Sequence, residues 1–439
     1  MLNYVGKSIP KYDVMGHVTG KTVYPSDVKM PGMLICKTLR SPYKRARIHS
    51  IDISEALKVK GVHAVITKDD VPYNKFAMYP DQDVLAEEMV RFKGQNIAAV
   101  AADDKATALE ALSKIKLDIE ELPAVVDPRE AMKEGAPLVR PEGNRYLFDG
   151  KYPTRKIRKG NIEEGFAEAD FIVEGSYRTT SQEHAPLETC SSLAYIDGTG
   201  RLVIHSKSQG LFFTQWDLAN VFQIPLSKLK LVGGTIGGGF GGMLSIHTDH
   251  IAGLLALKTR RPVKFAFTRE DEMLHSSVRN PWFFKYKDGI RKDGVITVRQ
   301  VELIHDCGGY SEMGMYVLEK SVNYIAGPNK IKNVWVDGTL VYTNKMPSGA
   351  MRGFGVNVGQ FAEQLQTEKL ARTVGISPFD IRFVNSFKEG DLAHAQNPLV
   401  AVSGIEVLQK VAKMAGVELP EKYLAMSSKD SGEGGVRND

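Results

Sequence analysis

The chain has 439 residues, enough for two or three domains, and its 43% hydrophobic and 25% charged content is ordinary for a globular protein. A net charge of +5 over that length gives no case for a nucleic-acid partner, and the longest apolar run, 251–257, is too short to span a membrane. Cys36, Cys190 and Cys307 are far apart and form no CxxC pair, so neither an iron–sulfur cluster nor a structural zinc is encoded. Residues 1–7 lack the apolar core of a signal peptide, and the expected compartment is the cytoplasm.

In chain order, apolar alternation predicts strands over 32–39, 46–53, 62–67 and 96–101. Asp103 or Asp104 can cap a helix over 105–114, and a strand over 117–120 follows. From 122 to 160 prolines and glycines interrupt the pattern, as expected of a connecting segment whose parts pack on a surface. Its basic run 155–159 reads as a solvated face. A short helix over 162–169 comes next, with strands over 171–177, 192–196, 202–206, 229–232, 263–268, 295–304 and 334–342. A helix is predicted over 244–258. Another spans 360–374 and stops at Gly375, after which Ser377 and Pro378 open a further helix. The polar, glycine-rich end reads as a disordered tail.

One stretch stands apart: Gly237-Gly238-Gly239-Phe240-Gly241-Gly242, between the 229–232 strand and the 244–258 helix. Glycine clusters sit where something approaches the backbone or where φ is positive. At a strand-to-helix junction the loop would offer N–H groups to an anion, whereas its bland reading is a tight connection. The spacing also matches a dinucleotide-binding G-x-G-x-x-G through Gly237, Gly239 and Gly242. The next acid, Glu270, lies well beyond the usual separation of roughly 20 residues. Met243 and Leu244 stand where a Walker loop needs Lys and Ser/Thr.

Other groupings carry two readings each. His247 and His250, three apart on the expected helix, are either packed or a metal pair without a third ligand; His247 would share a face with Leu244, Ile251 and Leu254. Gln182-Glu183-His184-Ala185-Pro186-Leu187-Glu188 crowds polar groups around a proline, as a functional site or a hydrogen-bonded knot. Gln209, at the end of the 202–206 strand, contacts a ligand or closes a turn. In Ala350-Met351-Arg352-Gly353-Phe354-Gly355 an arginine suited to carboxylate or phosphate stands in a second glycine–phenylalanine loop, with an ordinary surface turn as the alternative.

Taken in this order, the motifs resemble the molybdopterin subunits of the xanthine dehydrogenase and aldehyde oxidase family, the molybdenum hydroxylases. Thr19 to Tyr24, Arg40-Ser41-Pro42 and Ile48 to Asp52 carry the likeness in the first region. The 182–188 motif, Gln209, the 237–242 loop and 351–355 carry it in the second. The resemblance implies an α+β fold: an N-terminal α/β hammerhead domain over 1–122, a connection over 123–160, the first half of a molybdenum cofactor-binding domain over 161–420, and a tail over 421–439. It implies a molybdopterin cofactor, expected as the cytosine dinucleotide, whose metal takes no side-chain ligand from this chain. Gly239, Phe240, Gly241, Met351 and Arg352 would contact that cofactor, and Gln209 would hydrogen-bond the metal's oxo group. Leu244, Lys320 and Phe354 would line the substrate pocket, with Gln209, Arg352 and Lys320 as the catalytic set.

Three departures shape the expectation. The chain is short for the fused members, and nothing after Gly355 resembles the motif of the catalytic glutamate. A second molybdopterin subunit carrying that glutamate is therefore expected, as in nicotinate dehydrogenase, beside iron–sulfur and FAD subunits. Leu244 replaces a purine-recognising glutamate, and Lys320 stands where an arginine is usual and cannot form the same planar fork. The implied reaction is hydroxylation of a purine- or nicotinate-like N-heterocycle with oxygen from water. Aldehyde oxidation, a non-catalytic subunit framing its partner's site and an NAD-binding dehydrogenase are the alternatives.

Overall fold

The computed structural model describes residues 3–429, which pack as two compact units: the chain up to 123 together with 183–277, and 124–182 together with 278 onward. The chain is α+β throughout.

The first unit is built on a seven-stranded mixed sheet. Its order is Leu229–Val232, Leu202–Ser206, Ser191–Ile196, Val263–Ala266, Leu34–Arg40, Asn96–Ala102 and Val62–Ile66. Every residue of Asn96–Ala102 is buried, which is why this strand reads as small apolar residues rather than as alternation. The Lys105–Lys114 helix beside it is capped by Asp104, whose side chain accepts from Thr107 N at 2.8 Å. Asp249–Thr259 lies against the sheet and buries Ile251, Ala252, Leu255 and Ala256 in the main core. A smaller sheet of Met89–Val90, Ala46–Asp52 and Lys116–Glu121 completes the early part of the chain.

The second unit is built on a five-stranded sheet ordered Phe171–Arg178, Trp282–Ile290, Ile296–Gly308, Asn333–Tyr342 and Arg155–Lys159. The helices Gly314–Tyr324 and Val356–Val374 contribute Leu318, Val322, Ala362 and Leu370 to its core. Val356–Val374 ends at Gly375 with φ of 73°, as the sequence predicts. Ser377 and Asp380 form a reciprocal capping box at the start of Pro378–Val384.

Three expectations change. The helix predicted over 244–258 begins only at Asp249; a single tight turn, Gly242–Leu244, follows the glycine loop, and extended Ser245 (ψ 149°) breaks the helical path. His247 therefore precedes the helix. The basic run of the connecting segment keeps its solvated face, with Lys156 and Arg158 exposed, but forms an edge strand, Arg155–Lys159, in which Ile157 is buried and Arg158 chelates Asp337 at 2.7 and 2.8 Å. The expected tail starts too early: Glu421–Leu424 is helical, and buried Tyr423 stacks on Phe383 with centroids 4.5 Å apart. An aromatic anchor outweighs the local polar composition there. Residues 430–439 of that tail lie outside the described residues.

Candidate functional site

Topology in the first unit explains how separated motifs meet. Leu229–Val232 runs parallel to Leu202–Ser206, so the chain leaves both strands at the same end of the sheet. Ser191–Ile196 is antiparallel to Leu202–Ser206, with Ser192 opposite Ser206, so the chain enters it at that end too. The segments 182–190, 207–210 and 233–242 consequently converge.

Their contacts are specific. Glu188 Oε2 accepts from Gly237 N at 2.8 Å and Glu188 N donates to Gly237 O at 3.1 Å, while Oε1 accepts from Ser26 N at 3.2 Å. Gln209 N donates to Met243 O at 2.8 Å, and its Oε1 accepts from Gly241 N at 2.9 Å and Met243 N at 3.3 Å. Two N–H donors on one carboxamide atom identify that atom as the oxygen. Nε2 is thereby directed away from them and has no partner among the described residues. Leu244 adjoins this group; its Cδ2 would lie 3.2 Å from a Cβ placed on Gly210.

Backbone approach explains the glycines. A Cβ on Gly237 would meet Glu188 Cβ at 2.5 Å, one on Gly239 would meet Gln209 Oε1 at 2.4 Å, and one on Gly242 would meet the His184 ring at 2.9 Å. The loop also needs left-handed backbone, with φ of 109° at Gly238, 52° at Phe240 and 100° at Gly241. Phe240 is 48% exposed at the tip. Among the described residues the N–H groups of Gly238, Gly239 and Phe240 have no acceptor, whereas Gly241 N–H is taken by Gln209. Three consecutive N–H groups without acceptors, in a turn with left-handed backbone at Gly238 and Phe240, are the kind of donors from which anion-binding nests are made. These donors belong to the loop itself, since the next helix starts only at Asp249.

Behind the loop lie histidines. His247 is buried, its Nε2 donates to Gly242 O at 3.0 Å, and burial pushes its pKa down to about 4, so the ring is neutral. His250 is buried against Phe76 with ring centroids 4.9 Å apart, and burial pushes it down to about 3. The pair therefore does not share a helix face, and among the described residues no group of three His, Cys, Asp or Glu is placed to hold a metal ion.

The second unit carries the other candidates. Phe354 has φ of 48° between Gly353 (100°) and Gly355 (90°), and its N–H donates to Met351 O at 2.7 Å. A Cβ on Gly355 would lie 2.3 Å from Val317 O, so the loop sits directly on Gly314–Tyr324. Lys320 on that helix is exposed, with Nζ 5.3 Å from the Tyr324 ring centroid. Met351 is half-buried. Arg352 is exposed, its guanidinium has no partner among the described residues, and its carbonyl accepts from Arg279 Nη2 at 2.6 Å. The structure thus groups Gln209, Gly239, Phe240, Gly241 and Leu244 in one unit and places Met351, Arg352, Phe354 and Lys320 in the other. Sequence reading missed the fastening roles of Glu188 and His247 and the support from Arg279. In the sequence Glu188 stands out only as part of a polar cluster and His247 only as a packed or metal-paired histidine, and no local pattern marks Arg279.

The dinucleotide reading fails on geometry. Such a loop must open directly into a helix, and six residues, 243–248, intervene here. The donor set instead suits a group presenting oxygen acceptors: three main-chain N–H groups and one carboxamide NH₂.

Comparison with known proteins agrees. Residues 19–123 match the model described as aldehyde oxidase and xanthine dehydrogenase, a/b hammerhead domain, and 146–386 match the molybdopterin cofactor-binding domain. The chain is 35% identical over 407 residues to a probable xanthine dehydrogenase subunit of Bacillus subtilis (strain 168), covering 91% of this chain and 53% of that one. It is 33% identical over 414 residues to the nicotinate dehydrogenase large molybdopterin subunit of Eubacterium barkeri, covering 94% and 96%. The solved aldehyde oxidoreductase from Desulfovibrio gigas superposes with a TM-score of 0.87 at 30% identity, over 93% of this chain and 47% of that one. Quinoline 2-oxidoreductase from Pseudomonas putida 86 does so with 0.87 at 26%, over 94% and 54%. The chain therefore spans about half the length of the Bacillus relative and of both solved chains, but nearly all of the nicotinate dehydrogenase protein. A hammerhead domain followed by a molybdopterin-binding domain, both matched in order, means that the chain belongs to the aldehyde oxidase and xanthine dehydrogenase family.

Proposed function

We propose that the chain is a molybdopterin-binding subunit of a multi-subunit molybdenum hydroxylase acting on an N-heterocycle, with water as the oxygen source. The observation that carries this reading is the row of free N–H groups at Gly238, Gly239 and Phe240 beside the outward Gln209 Nε2. These donors fit a cofactor rich in oxygen acceptors, and no residue of the loop places a carboxylate among them. The bound cofactor supplies two-electron oxidation chemistry; the chain's own residues hold and orient. Gln209 Nε2 and the N–H groups of Gly239 and Phe240 donate to the cofactor, and Gly241 contributes by fixing Gln209. Arg352, with Met351 beside it, offers a cation to the cofactor or substrate. Arg352 and Lys320 stabilise charge building on a ring nitrogen, while Leu244 and Phe354 give the ring apolar contact.

The nicotinate and quinoline enzymes among the relatives, both named for N-heterocycles, support that substrate class. The same likeness supports a separate second molybdopterin subunit bearing the catalytic glutamate. Iron–sulfur clusters and FAD on partner subunits belong to the same reading, in which buried Cys36, Cys190 and Cys307 take no part. The cytosine dinucleotide form of the cofactor and a cytoplasmic location belong to the same reading; among the described residues no helix is long and apolar enough to cross a membrane. Likeness to aldehyde oxidoreductase favours aldehydes as the second substrate class.

Elemental analysis of the co-purified complex tests the reading, with nicotinate-like heterocycles and aldehydes assayed side by side. Active material without molybdenum would end it. Gln209→Ala should keep molybdenum and lose about 10²-fold in turnover, as loss of one preorganised donor does. Unchanged turnover in Gln209→Ala and Arg352→Ala would instead assign the chain a framing role.

A further inference from the structure

Of the three adjacent N–H groups without acceptors, those of Gly238 and Gly239 belong to half-buried and buried residues, whereas Phe240 is exposed. Buried or half-buried backbone donors normally find partners, and glycine gives the chain the freedom to turn them inward. Something must hold the 237–242 loop open. At its start, Glu188 and Gly237 exchange two hydrogen bonds, at 2.8 and 3.1 Å. At its end, Gly242 N donates to Gly239 O at 2.9 Å, and the buried Gly242 carbonyl accepts from His247 Nε2 at 3.0 Å. A carbonyl can only face a protonated nitrogen, so Nε2 carries the hydrogen. The His184 ring fills the space where a side chain on Gly242 would stand. His247 is supplied from the non-helical segment 245–248, in which Ser245 is extended and Thr248 precedes the helix, rather than from a helical turn.

We infer that His247 is a positioning residue: together with Glu188 it fastens the two ends of the glycine loop, so that the N–H groups of Gly238, Gly239 and Phe240 remain directed at a ligand's oxygen atoms. Naming the cofactor as that ligand rests on the proposed function; the fastening itself does not. A neutral imidazole suits the place, since it satisfies a buried carbonyl without adding a charge behind the donors. His247 touches neither cofactor nor substrate; it acts through Gly242.

The test uses the co-purified complex with His247→Phe, which removes the donor at similar bulk, and His247→Gln, which restores an N–H. Hydrogen exchange over the 237–244 peptide reads the loop directly, and the rate of molybdenum loss on dilution reads its consequence. His247→Phe is expected to quicken both by about fivefold, the equivalent of one net hydrogen bond, with circular dichroism unchanged. His247→Gln should recover most of the difference, which a merely space-filling role would not. Wild-type exchange and molybdenum retention in His247→Phe would overturn the inference. Should that variant not fold, Glu188→Gln loosens the opposite end and is judged by the same two readings. Faster exchange in a complex whose wild type holds no molybdenum would uphold the fastening and sink the functional reading alone.

Discussion

Phe240 and Phe354 share a backbone that aromatic residues rarely adopt, with φ of 52° and 48°. Each costs about 1–2 kcal/mol against ordinary backbone, and such strain persists where the surroundings over-determine the conformation. Both loops meet that condition. Gly355 is pinned 2.3 Å (as a notional Cβ) from Val317 O, and the 237–242 loop is fastened by Glu188, Gln209 and His247. The glycines beside these residues differ in what they forbid. Gly238 has φ of 109° and refuses any side chain on backbone grounds, whereas Gly239 lies outside the left-handed region and is barred only by Gln209 Oε1 at 2.4 Å. Gly239→Ala should therefore push the Gln209 carboxamide out of its place, break its bonds to Gly241 and Met243, and cost about 1–3 kcal/mol of stability. Gly234→Ala is the control: nothing lies within 4 Å of its Cβ and its φ is not positive, so it should be neutral or slightly stabilising. Thermal unfolding and turnover of the two variants decide the matter, and wild-type behaviour of Gly239→Ala would show that Gln209 is not held as described.

Between elements, the second unit relies on one buried charge cluster. Arg299, on Ile296–Gly308, contacts Asp288 on Trp282–Ile290 at 3.0–3.2 Å and Glu363 on Val356–Val374 at 2.9 Å, and also donates to Ala326 O at 2.9 Å. All three side chains are inaccessible to solvent. Arg299→Met fills the volume but strands two carboxylates, so urea unfolding should show a loss of about 3–5 kcal/mol. A loss below about 1 kcal/mol would mean that the acids are satisfied without the arginine. Nothing in the sequence around Arg299 announces this role, because its partners lie 11 and 64 positions away. The elements that were legible are those with local causes: Leu202–Ser206 and Lys105–Lys114 appear as predicted, one from its apolar run and one from Asp104 and its helical period. The first part of the candidate site, Gln209 with the glycine loop, was legible through residue type, since only close approach or positive φ justifies so many glycines. The 249–259 helix was misplaced because Leu244 and His247 continue an apolar period that the His247–Gly242 bond interrupts in three dimensions. Trp282–Ile290 was missed although five of its residues alternate into the core, since Lys285 and Lys287 made it read as polar.

At the scale of the molecule, buried histidines couple the fold to pH. Burial pushes His247 and His394 down to about 4, His250 and His305 to about 3, and His275 well below the usual imidazole range. A histidine lowered in the folded state takes its proton only on unfolding, so each favours the unfolded chain as pH falls below about 6.5 and the stability it allows is lost progressively toward its folded pKa. Two acids, half-buried Asp217 and buried Asp249, are raised by desolvation to about 6 and act in the opposite sense: they gain protons in the folded state first and offset part of the loss between pH 6 and 4. His250 isolates the effect. Its ring is 1% exposed, neither nitrogen has a partner among the described residues, and it packs on Phe76 rather than on the glycine loop. In His250→Leu the proton uptake on unfolding disappears, together with the two orphaned nitrogens. At pH 5.5 an unfolded histidine of pKa about 6.5 gains about 1.4 kcal/mol from protonation, and at pH 8 almost nothing. Urea unfolding should therefore show the variant gaining about 1.4 kcal/mol more on wild type at pH 5.5 than at pH 8, whatever repacking around Phe76 adds equally at both. A difference that does not change with pH would place a protonated or water-exchanging imidazole at position 250 and remove it from the acid sensitivity of the fold.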